Sequence, residues 1–324
     1  MAVRAAIIGL GRWGQRLVNS IERSGKIRIV AGVTRRVERA QGFAFAKGFP
    51  LGSDYAAVLA DPAIDAVILA TPHSLHADQV VAAAAAGKQI FCDKPFTLDK
   101  PSAERAVGAA KAAGVTLSVG FNRRFLPAME ELRRLLADGS LGTLLHAEAN
   151  FSLSAVGRYD DDSWRLDRAE APGGGLTGAG IHLIDAMIDL MGPIASVYAQ
   201  STSEVLRQID DTTSVLFRFE SGASATLSTL LATPLYFRFH LFGSAAHAEL
   251  RGPDRLEVTR AEGVAPTVTD FPAIDLERAE LEAFADAVEG RATFPVGADQ
   301  AIHGAAVFEA IIRSAASGQP VAVA

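Results

Sequence analysis

Lys94 sits in the stretch Ile90-Phe91-Cys92-Asp93-Lys94-Pro95, between an apolar run and a proline. An ammonium at the end of an apolar strand is placed to give and take a proton rather than to solvate a surface. On Lys94 alone, a strand-end lysine pointing at water is the favoured reading. His182, in Gly180-Ile181-His182, carries the side-chain type whose charge changes near neutral pH. A helix histidine satisfied by its neighbours is the ordinary reading there. Near the N-terminus, Gly9-Leu10-Gly11-Arg12-Trp13-Gly14 has the glycine spacing that lets a pyrophosphate reach the backbone.

These residues need elements to hold them. Apolar β-rich runs at Ala5–Ile8, Ile27–Val33, Ala66–Ala70, Gln89–Cys92 and Thr116–Val119 alternate with alanine-rich helical patterns such as His76–Ala86 and Ser102–Ala113. Continuous apolar strands separated by helices predict a parallel sheet covered on both faces. Gly87, Gly114 and Gly139 stand where helix C-caps are expected. The glycine fingerprint follows the first strand and opens a helix, the context that makes it specific: Gly9 for the tight turn, Gly11 for phosphate approach, Gly14 for helix–strand packing. Arg12 and Trp13 lie inside it and are assigned to the same ligand.

The second strand ends at Val33 and is followed by Thr34-Arg35-Arg36. An acid here would bind two ribose hydroxyls; a hydroxyl and two guanidiniums suit a 2′-phosphate instead. The missing acid and the added arginines favour NADP(H), with NAD as the alternative. A solvated basic helix start would look the same. The next strand runs into Ala70-Thr71-Pro72-His73, with His76 one turn on. Thr71, Pro72, His73 and His76 are therefore expected to line the cofactor pocket, the histidines as lining rather than catalysts.

Composition narrows the classes. A net charge of −6 argues against a nucleic-acid partner, and no apolar run approaches the ~20 residues of a membrane span. The single cysteine, Cys92, excludes an intramolecular disulfide and a cysteine zinc cluster, and packing is the favoured reading of its thiol. No metal site is expected. The chain runs from Met1 straight into strand Val3–Ile8, which makes the cytoplasm the expected compartment.

After Asn122 the pattern changes. A helix around Pro127–Ala137 leads to an extended run, Leu144–Leu153, and a polar stretch, Arg158–Ala171. In that stretch Tyr159 and Asp160-Asp161-Asp162 read as solvated loop. Gly173-Gly174-Gly175 opens a helix through Met191; the triple glycine permits close approach of cofactor or backbone. From Ala195 to about Arg260 the chain alternates with period two, as a largely antiparallel sheet does, before helices at Leu276–Val288 and Asp299–Ser317. Two domains follow: a dinucleotide-binding unit at 1–122, and an α+β unit at 123–324 for substrate and oligomerisation.

In order, GLGRWG, ATPHSLH, IFCDKP, GFNRR, SWRLD and GGGLTGAGIHLID resemble the Gfo/Idh/MocA oxidoreductases over nearly the whole chain. The resemblance implies a Rossmann domain followed by a domain with an open, mostly antiparallel sheet that forms homodimers or homotetramers. It also implies NAD(P)-dependent oxidation or reduction of sugars, cyclitols and related hydroxy compounds. Lys94 matches the motif lysine, with Asp93 replacing the more frequent glutamate beside the cofactor. Asn122 and Arg123 match the pocket end of the last Rossmann strand, and Trp164 and Arg165 the pair that reaches the nicotinamide end. His182 matches the histidine after the glycine run. An aspartate often stands four residues earlier in relatives; here that position is Gly178. Asp185 or a backbone carbonyl is then expected to fix the His182 tautomer. The implied mechanism makes Lys94 the general acid/base, assisted by His182. A catalytically silent nucleotide-binding regulator and an NAD-dependent glycoside-cleaving enzyme are the alternatives.

Overall fold

The computed structural model describes residues 1–158 and 163–324; Tyr159 and Asp160-Asp161-Asp162 lie outside them. The chain divides into two compact units. Met1–Asn122 and Asp275–Ile302 form one, and Arg123–Ile274 with His303–Ala324 form the other. Asn122 closes the first stretch of the first unit. The uninterrupted 123–324 segment needs correction, because Asp275–Ile302 returns to the first unit. The reason is packing: the phenyl ring of Phe91 lies 5.7 Å from Phe284 and 6.5 Å from Phe294, all three buried.

In the first unit the elements alternate. Strand β1 (Val3–Ile8) leads to α1 (Arg12–Ser20), β2 (Ile27–Val33) and α2 (Gln41–Lys47). Then come β3 (Leu51–Gly52), α3 (Tyr55–Ala60), β4 (Ala66–Leu69) and α4 (His76–Ala85). Strand β5 (Gln89–Asp93), α5 (Lys100–Ala113) and β6 (Leu117–Gly120) complete the run. All six strands pair in parallel, in the order β3-β2-β1-β4-β5-β6. This is the doubly wound arrangement, which binds ligands beyond the C-terminal ends of its strands. Every residue of β4 is buried, as the continuous apolar run requires. Gly87, Gly114 and Gly139 all take positive φ, 71°, 66° and 76°, as helix-ending residues do.

The second unit contains α6 (Pro127–Ala137), β7 (Leu144–Ser154) and α7 (Ile181–Met191), the last preceded by a π-helical turn at Leu176–Gly180. Strands β8 (Ile194–Thr202), β9 (Thr212–Phe219), β10 (Ser224–Leu230), β11 (Ala232–Gly243), β12 (His247–Arg251), β13 (Arg255–Thr259) and β14 (Thr267–Asp270) follow. Helix α8 (Leu276–Val288) belongs to the first unit; α9 (Ala298–Ser317) and β15 (Val321–Ala322) end the chain. The nine-stranded sheet runs β14-β13-β12-β11-β7-β10-β9-β8-β15, antiparallel except where β7 and β10 pair in parallel. One face carries Phe217, Phe219, Phe239 and Leu250, all buried. From α9, His303 Nε2 accepts from the Ile194 amide at 2.9 Å and Ser314 Oγ from the Ala199 amide at 2.9 Å, which ties the helix to strand β8. Among the described residues no helix is long and apolar enough to cross a membrane.

Candidate active site

The first unit assembles its part of the site at the C-terminal strand ends. Gly9 takes φ +96°, and a Cβ built there would stand 2.4 Å from the Ala70 carbonyl oxygen; at Gly14 it would stand 2.0 Å from the Gly9 carbonyl oxygen. Only glycine allows β1, β4 and α1 to meet so closely. Gly11 is exposed, with no atom of the described residues within 4 Å of a built Cβ. It is also the N-cap of α1, where no side chain bonds the first-turn amides and no acid stands in the first turn. Those N–H groups and the positive end of the helix dipole suit a phosphate. Trp13 Nε1 and Asn122 Oδ1 are buried polar atoms without a hydrogen-bond partner among the described residues. A dinucleotide fits this cradle: an open glycine, an uncapped helix and two unsatisfied polar atoms.

At the end of β2, Thr34 is half-buried, its amide bonded to the Gly52 carbonyl at 2.9 Å, while Arg35 and Arg36 are exposed. Arg12 is exposed at the start of α1. Thr71, Pro72 and His73 are half-buried just past β4. The Thr71 hydroxyl donates to Gln79 Oε1 at 2.6 Å, which fixes its side chain toward α4.

His76 departs from expectation. Its ring is fully buried and lines no open pocket. Nδ1 lies 2.9 Å from the Pro95 carbonyl and 3.2 Å from that of Phe96, and Nε2 lies 3.2 Å from the Thr71 carbonyl. Burial pushes its pKa below the ordinary histidine value. His76 is an internal brace that ties the loop after β4 to the segment just past Lys94. It starts α4 facing inward, an orientation that helix periodicity alone does not specify.

Lys94 itself is half-buried, directly after β5, and its peptide bond to Pro95 is cis. Asp93, also half-buried, is the last residue of that strand and pairs with Gly120 of β6. Cys92 is fully buried, and burial pushes its thiol well above the usual range, so packing accounts for it.

The second unit holds the other expected residues. Trp164 and Arg165 are half-buried in a short 3-10 turn, and the guanidinium of Arg165 lies 4.2 Å from the Trp164 ring centroid. Stacking of this kind orients both side chains. His182, in the first turn of α7, is buried, its ring 6.3 Å from Phe151; Arg123 lies 5.4 Å over the other partner of that contact, the Phe151 ring.

Asp185 does not serve His182. Arg124 Nε donates to Asp185 Oδ2 at 2.8 Å and Arg124 Nη2 to Oδ1 at 2.7 Å, a buried bidentate pair. Arg124 also donates to Asp189 Oδ1 at 2.9 Å, and Arg133 donates to Asp189 Oδ2 at 2.7 Å. Burial raises the Asp185 carboxyl, with the Arg124 guanidinium pulling the other way. This network pins the segment after Asn122 to the helix that carries His182. Sequence reasoning missed it. The one available signal was the four-residue spacing of Asp185 and Asp189, which puts two acids on one helix face.

The triple glycine serves backbone approach. A Cβ at Gly174 would stand 1.7 Å from the Asp210 carbonyl oxygen, and one at Gly175 3.0 Å from Thr229 Oγ1. Gly178, by contrast, is exposed with no atom of the described residues within 4 Å of a built Cβ, so nothing there has closed the space a side chain would take. Among the described residues no group of three or more His, Cys, Asp or Glu is placed to hold a metal.

Two family descriptions match the chain. One, an oxidoreductase family with an NAD-binding Rossmann fold, covers residues 3–121, and the other, the GFO/IDH/MocA C-terminal domain, covers residues 129–249. A D-xylose 1-dehydrogenase (NADP(+)) of Haloferax volcanii is 30% identical over 322 residues, 97% of this chain and 98% of that one. An inositol 2-dehydrogenase of Rhizobium meliloti is 28% identical over 339 residues and the full length of both. Among solved structures, the aldose-aldose oxidoreductase of Caulobacter crescentus in complex with glycerol superposes with a TM-score of 0.88 at 25% identity, covering 99% of this chain and 100% of that one. With both domains matched in order and a 30%-identical relative covered over nearly its full length, the chain belongs to the Gfo/Idh/MocA family of oxidoreductases.

Proposed function

We propose that this protein moves a hydride between NADP(H) and a sugar, polyol or related hydroxy/keto compound, with Lys94 as general acid/base and His182 assisting. When bound, the nicotinamide supplies or accepts the hydride. Lys94 Nζ gives a proton to the carbonyl oxygen in reduction and takes it from the hydroxyl in oxidation. His182 orients that oxygen or shares its proton; because Asp185 is engaged by Arg124, its tautomer is set by some other group. The residues that would hold the dinucleotide are those of the fingerprint turn, Thr71, Pro72, His73, Asn122, Trp164 and Arg165. Thr34, Arg35 and Arg36 take the 2′-phosphate, since these residues and not an acid stand directly after β2.

The observation that carries this reading is Lys94 itself: a half-buried lysine at the C-terminal end of a central parallel strand, with the following carbonyls held by His76. Sugar and polyol enzymes at full-length coverage among the relatives support the substrate class. Assembly into a homodimer or homotetramer through the nine-stranded sheet belongs to the same proposal.

NADPH oxidation with a panel of keto-sugars, and NADP+ reduction with the matching polyols, tests it. Lys94→Ala is expected to lose ~10²–10⁴ in turnover while still binding NADPH. Full turnover by that variant removes Lys94 from the mechanism. Cofactor binding with no turnover on any substrate would favour the silent regulator, and product release without net cofactor change the glycoside-cleaving reading.

A further inference from the structure

Asn122 lies just past β6, whose neighbour β5 ends at Asp93 with Lys94 directly after it, and it is 3% exposed. An asparagine amide can present either its oxygen or its NH2 to a ligand, and its neighbours decide which. Here the neighbour is Glu277, also buried, on the first turn of α8. Asn122 Nδ2 donates to Glu277 Oε1 at 3.2 Å. A carboxylate only accepts, so this contact is made by the NH2 and not by the oxygen. Glu277 is held in turn by α1: Arg16 Nε lies 3.0 Å from Oε1 and Arg16 Nη2 donates to Oε2 at 3.1 Å. Asn122 Oδ1 is left buried and without a hydrogen-bond partner among the described residues.

We infer that Glu277 is a positioning residue: it sets the Asn122 amide so that Oδ1 accepts a hydrogen bond from an N–H or O–H donor of the bound ligand. Two donors share that chemistry, the carboxamide N–H of the nicotinamide and a substrate hydroxyl. The inference rests on the dinucleotide reading of the site. Its new content is that a residue 155 positions away from Asn122, on the helix returning from the C-terminal part of the chain, determines which atom the site presents.

Glu277→Gln tests it, since a carboxamide offers Asn122 either an oxygen or an NH2 and no longer fixes the orientation. Calorimetry of the full chain compares NADPH with 2′-phospho-ADP-ribose, which lacks the nicotinamide ring. If the donor is the carboxamide, NADPH binds roughly 3–10-fold more weakly while the ringless probe is unaffected. If the donor is a substrate hydroxyl, both probes bind as before, KM rises by a similar factor and kcat holds. Asn122→Leu is expected to show the same selective loss, and the double variant no further loss, because the glutamate acts through the asparagine. Equal weakening of both probes overturns the inference, as does an additive double variant or no change in either Kd or KM. Should Glu277→Gln not fold, Asn122→Leu without a selective loss overturns it. Failure of the unaltered protein to bind NADPH or NADH overturns the dinucleotide reading as well; NADPH binding with insensitive variants sinks this inference alone.

Discussion

The fingerprint turn of the first unit and the start of α7 in the second are both rich in glycine, and they use it differently. At the turn, Gly9 and Gly14 bring backbones together so that Gly11 and the uncapped amides of α1 stay open. Before α7, Gly174 and Gly175 are closed in by Asp210 and Thr229, and the fixed geometry comes from charges instead: Arg124 against Asp185 and Asp189, with Arg133 behind. One region presents backbone N–H groups within a few residues of sequence. The other positions a histidine through a guanidinium some 60 residues away, 61 to Asp185 and 65 to Asp189. Glycine spacing is therefore evidence for a ligand only when the space it clears remains empty of protein.

The difference can be broken most sharply at the charges. Arg124→Met leaves two acids without their buried partner, and the expected loss is about 3–5 kcal/mol of stability, read from urea denaturation. A loss under about 1 kcal/mol would mean that the network does not hold α7. Next come paired glycine substitutions. Gly174→Ala meets a carbonyl oxygen at 1.7 Å with φ +50° and should cost about 2–4 kcal/mol. Gly11→Ala should leave stability within about 0.5 kcal/mol, and on the proposed reading should weaken NADPH binding, because its methyl would enter the space a phosphate takes. Equal stability effects would erase the contrast.

Two smaller effects sharpen it within the first unit. Replacing Arg35 and Arg36 together by alanine should weaken NADPH about 10-fold and leave NADH unchanged, by isothermal titration. Tighter NADH than NADPH binding by the unaltered protein would refute the preference. His76 gives the smallest signal. Its folded pKa is lowered by burial, so its contribution is complete above the unfolded value of about 6.5 and is lost as pH falls below it, when the unfolded chain takes up the proton first. The thermal midpoint should fall on acidification through that range, and His76→Gln should flatten the fall.

Much of the first unit was legible before the structure because its determinants are local. The glycine turn after β1 and the helix-ending glycines each lie within one turn or strand of the backbone they shape. The parallel sheet followed from alternation, since continuous apolar strands separated by helices must be covered on both faces. His76 was misplaced because its type and spacing identify a strand-end histidine, and only packing shows which way the ring turns. Asp185 was offered to His182 on helical proximity, and Arg124 claimed it.

What sequence alone determined is therefore the fold class and the family, with the glycine turn and Lys94 as site candidates, all written in short-range spacing. What only the tertiary structure decided is orientation. It set which way the Asn122 amide faces, which acids Arg124 binds, that the segment at 275–302 returns to the first unit, and that Gly178 stands open. Those outcomes depend on contacts between residues 61 to 261 positions apart, and no local pattern records which partners will meet.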